Sequence, residues 1–228
     1  MIFIGITGGV GAGKSEILSY LEKKDATRVM LADEIAHMVM EPEQEAYMQI
    51  CEAFKGEDIF VEEFENICFE GGDSYIVPKR FPAFDRGKLA QVIFSDEEKR
   101  ERLNAIVHPA VKKYVKEQFQ LEKERGKIQV LVLEAALLIE EHYDEICDEL
   151  WYIYTSEENR RERLKASRGY SDEKINQIFK SQLSEQSFRE VACEVIDNNG
   201  AKEDAFCQID IALENALRRR THEYCIWT

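Results

Sequence analysis

The sequence predicts an α/β protein: a five-stranded parallel sheet with helices on both faces. Three observations predict it. Short, β-branched apolar runs recur along the 228 residues. Helical stretches separate them, and the first run passes through a glycine-rich loop directly into a helix.

The first run, "IFIGI" (Ile2 to Ile6), reads as a buried parallel strand, and "SEILSYLEKK" opens a helix with Ile17, Leu18 and Leu21 on one face. Between them "GGVGAGKS" fits G-x-x-x-x-G-K-S/T at Gly8, Gly13, Lys14 and Ser15. A loop of this kind turns successive backbone N–H groups onto one anion at a helix N-terminus. The expected cradle for ATP is Gly8, Gly9, Val10, Gly11, Ala12, Gly13, Lys14, Ser15 and Glu16. Lys14 would reach the β- and γ-phosphates, and the Ser15 hydroxyl would ligate Mg²⁺.

Four more strands are predicted: "TRVMLAD" ending at Asp33, "KIQVLVLEAALL", "ELWYIYT" and "EVIDNNG". Ligands of such sheets collect at the C-terminal strand ends, which aligns the glycine loop, Asp33, Glu134, Thr155 and Asn198–Asn199 along one edge. Nearly a hundred residues separate the second and third strands, too many for a simple crossover, so a helical subdomain is expected there. Its helices lie in Asp33 to Phe54, punctuated by Pro42, and in Asp85 to Gly126, with Gly126 as a C-cap. Between them "ENICFEGGDSYIVPKRFPAF" is a loop or a small β excursion. After the fourth strand, Thr155 and Glu158 have capping-box spacing, and Ser171 can cap a second helix, giving a basic hairpin broken near Arg168–Gly169. The last helix buries Phe206, Ile209, Leu213 and Leu217, and Arg218, Arg219 and Arg220 suit its closing dipole.

A net charge of −15 argues against general binding to nucleic acid or anionic membranes. No stretch approaches the roughly 18 apolar residues of a membrane span, and a core strand stands where a signal sequence would be, so a soluble cytoplasmic protein is expected. The six cysteines show no C-x-x-C spacing, which argues against a zinc site or a disulfide framework.

Beyond the glycine loop, the chain resembles the dephospho-CoA kinase family. "LADEIAHMVMEP" is similar to the family's segment after the second strand, and "DRGKLAQVIFSDEEKRERLNAIVHP" to its Arg-x-x-Leu…Val-Phe…His-Pro stretch. "EAALLIE" resembles its Pro-Leu-Leu-x-Glu stretch and "VIDNNGA" its adenine-side loop. Three departures stand out. Leu31 replaces the first carboxylate of Asp-Ala-Asp, Ala136 replaces the proline, and Ser167 replaces the second of two lid arginines four apart.

The resemblance implies a P-loop NTPase fold, a three-layer sandwich like that of nucleoside monophosphate kinases, with substrate-binding and lid insertions. It divides the chain into a core (1–32, 127–155, 186–228), a substrate subdomain (33–126) and a lid (156–185). The implied reaction is phosphorylation of the ribose 3′-hydroxyl of dephospho-CoA by ATP with Mg²⁺, by a monomer or weak homo-oligomer that binds neither nucleic acid nor membrane. The alternative is another small-molecule, nucleoside or nucleotide P-loop kinase. A GTPase-like switch would want an Asn-Lys-x-Asp motif, and the chain has none.

Asp33 is the expected base, because a ribose hydroxyl is a poor nucleophile that a nearby carboxylate can orient and deprotonate; the bland reading makes it an N-cap. Arg163 matches the first lid arginine and Arg168 substitutes for the second, with Arg160 next; both lid arginines would steady the charge of a loose phosphoryl transition state. Glu134 is a candidate on the metal side. Asn198 and Asn199 would offer backbone or amide groups to adenine. Arg86, His108 and Pro109 match family positions for the substrate, and His108 before Pro109 also reads as a helix start.

Overall fold

The computed structural model describes residues 1–68 and 74–226. Strand β1 (Ile2–Thr7) leads through the glycine loop into α1 (Lys14–Glu22), and β2 (Thr27–Leu31) runs straight into α2 (Ala32–Val39). Helix α3 (Glu45–Ala53), strands β3 (Phe64–Cys68) and β4 (Ser74–Pro78), and helices α4 (Arg86–Phe94) and α5 (Glu97–Arg125) follow. The chain then forms β5 (Val130–Glu134), β6 (Glu149–Tyr154), α6 (Glu157–Arg168), α7 (Asp172–Lys180), α8 (Glu185–Val191), β7 (Glu194–Asp197) and α9 (Lys202–Ile226). It divides into two compact units, one of residues 1–32 and 116–228, the other of 33–115.

In the first unit five strands form a sheet in the order β2-β5-β1-β6-β7, every neighbouring pair parallel. The alternation of β1 explains why it sits at the centre. Ile2, Ile4 and Ile6 face one side and join Ile17, Leu18 and Leu21 of α1 and Ile209 and Leu213 of α9 in one buried cluster. Phe3 faces the other side and stacks on Phe119 of α5, with ring centroids 5.2 Å apart. On that side too, Tyr152 of β6 stacks on Phe188 of α8 at 4.9 Å. Gly5 leaves room there for Leu138 and Leu150, whose methyl groups would meet any Cβ at 2.9 and 2.7 Å. Both faces are dry, as a parallel sheet requires.

The second unit is mainly helical. Its possible β excursion is a hairpin, β3 antiparallel to β4; the Gly71-Gly72 pair lies outside the described residues. Ile35, Val39, Tyr47, Ile50 and Phe54 are buried with Leu89, Leu103, Val107, Val111 and Val115. Tyr47 packs on the rings of Phe81 and Phe84.

Three local expectations need correction. Pro109 does not start a helix: α5 begins at Glu97 and runs through it, because burial of the Leu103, Val107, Val111 and Val115 stripe outweighs the roughly 3 kcal/mol that an interior proline costs. The N-cap of α6 is Ser156, whose Oγ accepts from Asn159 N; the Thr155 hydroxyl is drawn away to the phosphate loop. Arg218, Arg219 and Arg220 do not close α9, which continues to Ile226. Arg219 bonds Glu149 at 2.7 Å and Glu194 at 3.3 Å, and Arg220 pairs with Asp148, tying α9 to the N-terminal ends of β6 and β7. Ser171 caps α7 by accepting from Lys174 N. Gly126, at φ 62°, ends α5 with its N–H donating to Glu122 O.

Candidate active site

The loop from Gly8 to Ser15 leaves the C-terminal end of β1 and closes on the first turn of α1. Gly13 is the residue before that helix. It has φ 84°, and a Cβ there would overlap the Asn198 amide, so only glycine fits on both counts. The Ala12 carbonyl is one point where the loop is held from outside. It accepts from Asn198 Nδ2 at 2.8 Å, Thr155 Oγ1 at 3.0 Å and Arg163 Nη1 at 3.4 Å. Within the loop, Ala12 N donates to Gly9 O at 3.0 Å, which closes the turn that leads into α1.

Lys14 lies over the loop, its Nζ donating to Gly8 O at 2.6 Å and standing 3.5 Å from Glu134 Oε1. Glu134 ends β5, beside Ile6 of β1 on one side and Leu31 of β2 on the other. Both side chains are about 15% exposed, so this cation and carboxylate face each other in a largely desolvated place. Ser15 and Glu16 are exposed at the helix start.

The ends of β6 and β7 brace the loop. Arg163 on α6 donates to Asn198 O at 2.7 Å as well as to Ala12 O and Thr155 Oγ1. Asn199 Oδ1 accepts from Ser156 N at 2.8 Å and Asn159 Nδ2 at 2.9 Å, fixing the entry to α6. The predicted residues Lys14, Glu134, Arg163, Asn198 and Asn199 are therefore brought together around the loop. Arg168 is not among them. It is exposed at the last turn of α6, its guanidinium 5.9 Å from the Tyr170 ring centroid, and its hydrogen bond to the phenol lowers the Tyr170 pKa. Thr155, expected on this edge, holds the loop through Ala12 O, and Gln182, which was not expected, does so by accepting from Val10 N. Thr155 carried a signal, standing directly after β6, but Gln182 follows α7 and carries none.

In the second unit Asp33 is exposed in the first turn of α2. It is not an N-cap, because α2 already begins at Ala32. Arg86 opens α4 just after Asp85, which caps that helix by accepting from Gly87 N and Lys88 N. Arg86 lines a cavity of about 350 Å³ with His37, Met40, Pro42, Phe84 and Leu89. His108 and Pro109 lie mid-way along α5, and neither lines this cavity.

A phosphate loop at the end of the central strand of a five-stranded parallel sheet, braced by a basic helical hairpin, defines the class: a P-loop kinase. The comparisons then narrow it. The family model described as dephospho-CoA kinase matches residues 2–204. The dephospho-CoA kinase of Shouchella clausii is 34% identical over 220 residues, covering 96% of this chain and 99% of the relative. That of Thermobifida fusca is 32% identical over 222 residues, covering 97% and 99%. Among solved structures, TT1252 from Thermus thermophilus superposes with a TM-score of 0.68 at 26% identity, covering 94% of this chain and 97% of that one. The dephospho-CoA kinase of Campylobacter jejuni shares the fold, with a TM-score of 0.64 at 19% identity, covering 96% and 98%. The chain belongs to the dephospho-CoA kinase family.

Proposed function

We propose that this kinase transfers the γ-phosphoryl group of ATP to the ribose 3′-hydroxyl of dephospho-CoA, giving CoA and ADP, the last step of coenzyme A biosynthesis. The observation that carries the reading is the phosphate loop with Lys14 over it, in a chain that matches this family across almost its whole length. Phosphoryl transfer leaves a protein little covalent work. It needs positioned phosphates, cations near the equatorial oxygens, and a base for the incoming hydroxyl.

In this reading residues 8–16 hold the triphosphate and Lys14 follows the charge on its β- and γ-phosphates. Arg163 steadies the transferring group, and Arg168, exposed at the end of α6, is open to an incoming phosphate. Asn198 and Asn199 lie on the adenine side. Asp33 orients the 3′-hydroxyl and accepts its proton. Arg86, His108 and Pro109 serve the acceptor, Arg86 through a phosphate of dephospho-CoA. The helical insertion is the substrate subdomain, and the hairpin of α6 and α7 is the lid.

The donors fit Mg²⁺. Ser15 and Glu134 offer oxygen only, and no group of three or more His, Cys, Asp and Glu residues gathers into a metal cage among the described residues. Mg²⁺ ordinarily takes one or two protein oxygens, with phosphates and water completing its shell. Bound there, it would neutralise phosphate charge. No helix among the described residues is long and apolar enough to cross a membrane; a cytoplasmic monomer or weak homo-oligomer is the form proposed.

The test is a substrate panel with the unmodified protein, ATP and Mg²⁺, read as ADP release. Turnover of dephospho-CoA is expected; turnover of a nucleoside monophosphate with none of dephospho-CoA would overturn the reading.

A further inference from the structure

The chain carries 45 carboxylates against 30 lysines and arginines, and its surface arginines are commonly paired. On α6 itself, Arg161 bonds Glu157 at 3.1 Å and Asp172 at 3.0 Å. Arg160, its neighbour, has no carboxylate within salt-bridge distance among the described residues. Its guanidinium is half-buried and lies across Gly9 so closely that a Cβ on Gly9 would overlap it. Three neutral groups hold it. Arg160 Nε donates to Val10 O at 2.9 Å, one Nη donates to Gln182 Oε1, and the Phe179 ring lies 4.4 Å from its Cζ. Gln182 Oε1 also accepts from Val10 N, at 3.3 Å. Val10 is thus gripped by both its backbone groups, one arm coming from α6 and the other from the turn after α7.

A half-buried guanidinium with no ion pair is costly: burial lowers its pKa from the ordinary arginine value, and the charge of Glu157 offsets that only in part. Packing alone would be served as well by a neutral side chain. What distinguishes arginine is a positive charge, not tied up in an ion pair, fixed over a loop whose spacing suits an anion. We propose that Arg160 supplies charge to the nucleotide phosphates on this loop, and that Gln182 is the positioning residue that holds it over Gly9. The proposal rests on the reading of residues 8–16 as the ATP site. It also explains why position 182 carries an amide: a carboxylate of the same shape would keep both hydrogen bonds and cancel the charge.

Calorimetric titration of the full chain with ADP and with adenosine separates charge from structure. Arg160→Gln should weaken ADP binding about tenfold or more, the scale of a hydrogen bond to a charged group, and leave adenosine unchanged. Gln182→Glu should weaken ADP in the same direction while the thermal midpoint holds or rises, because Arg160 then gains an ion pair. The double variant, which leaves an unpaired carboxylate beside the loop, should bind ADP more weakly than Arg160→Gln. ADP affinity within twofold of the unmodified protein in Gln182→Glu, or an equal loss for adenosine and ADP in Arg160→Gln, would overturn the proposal. If Lys14→Ala abolishes ADP binding in the same series, the loop reading survives that failure; if the unmodified protein binds no ADP, both fall.

Discussion

The glycine loop and Lys14 announce themselves at the scale of single residues because their chemistry is local: eight consecutive positions carry the spacing. The partners that fix the loop are remote. Asn198 reaches Ala12 O across 186 positions and Thr155 across 143, so neither bond could be read from the chain before it folded. Asp33 lies between these cases, a legible carboxylate whose cap role disappears once α2 is seen to start one residue earlier. Asp33→Asn should keep ATP binding and lower turnover about 10²- to 10⁴-fold, the usual worth of a general base; steady-state kinetics beside a nucleotide titration will show it. Lys14→Ala should weaken binding and rate together, because the role proposed for the lysine is on phosphate in ground and transition states alike. A lower rate with unchanged nucleotide affinity would contradict that role.

At the scale of elements, strands and helices follow from apolar period and caps, and the errors arise where tertiary contacts override a local rule. Thr155 had the spacing of a cap, yet its hydroxyl is used on the loop and Ser156 takes over. Pro109 had the look of a boundary, yet a buried stripe carries α5 through. The α9 arginines serve the opposite edge of the sheet from the phosphate loop, a separation that only topology reveals. Two predictions belong here. Asp85→Ala removes a cap with two bonds and should cost about 1 kcal/mol, read by urea denaturation. Cys147 lies against Gly5 of the sheet, and burial pushes its thiol up to about 12. In the native protein at pH 8, iodoacetamide should label the exposed Cys193 and Cys207 and spare Cys147, as peptide mapping will report.

At the scale of the whole molecule, a strongly acidic chain gathers a few cations around the glycine loop, with the carboxylate of Glu134 among them. Beyond roughly 8 Å exposed charge is screened at physiological salt, so the bulk negative charge matters less than Lys14, Arg160 and Arg163 beside the loop. The five parallel strands were legible from their spacing, whereas the order β2-β5-β1-β6-β7 came from the structure. The acceptor was not, because nothing in the periodicity of the second unit names a ribose; that came from likeness to a family. The product itself is therefore the most direct test. With ATP, Mg²⁺ and dephospho-CoA, phosphorus NMR of the reaction should show a new monophosphate ester on the ribose 3′ carbon, formed in step with ADP. ADP without that ester, or phosphate on another position, would contradict the account.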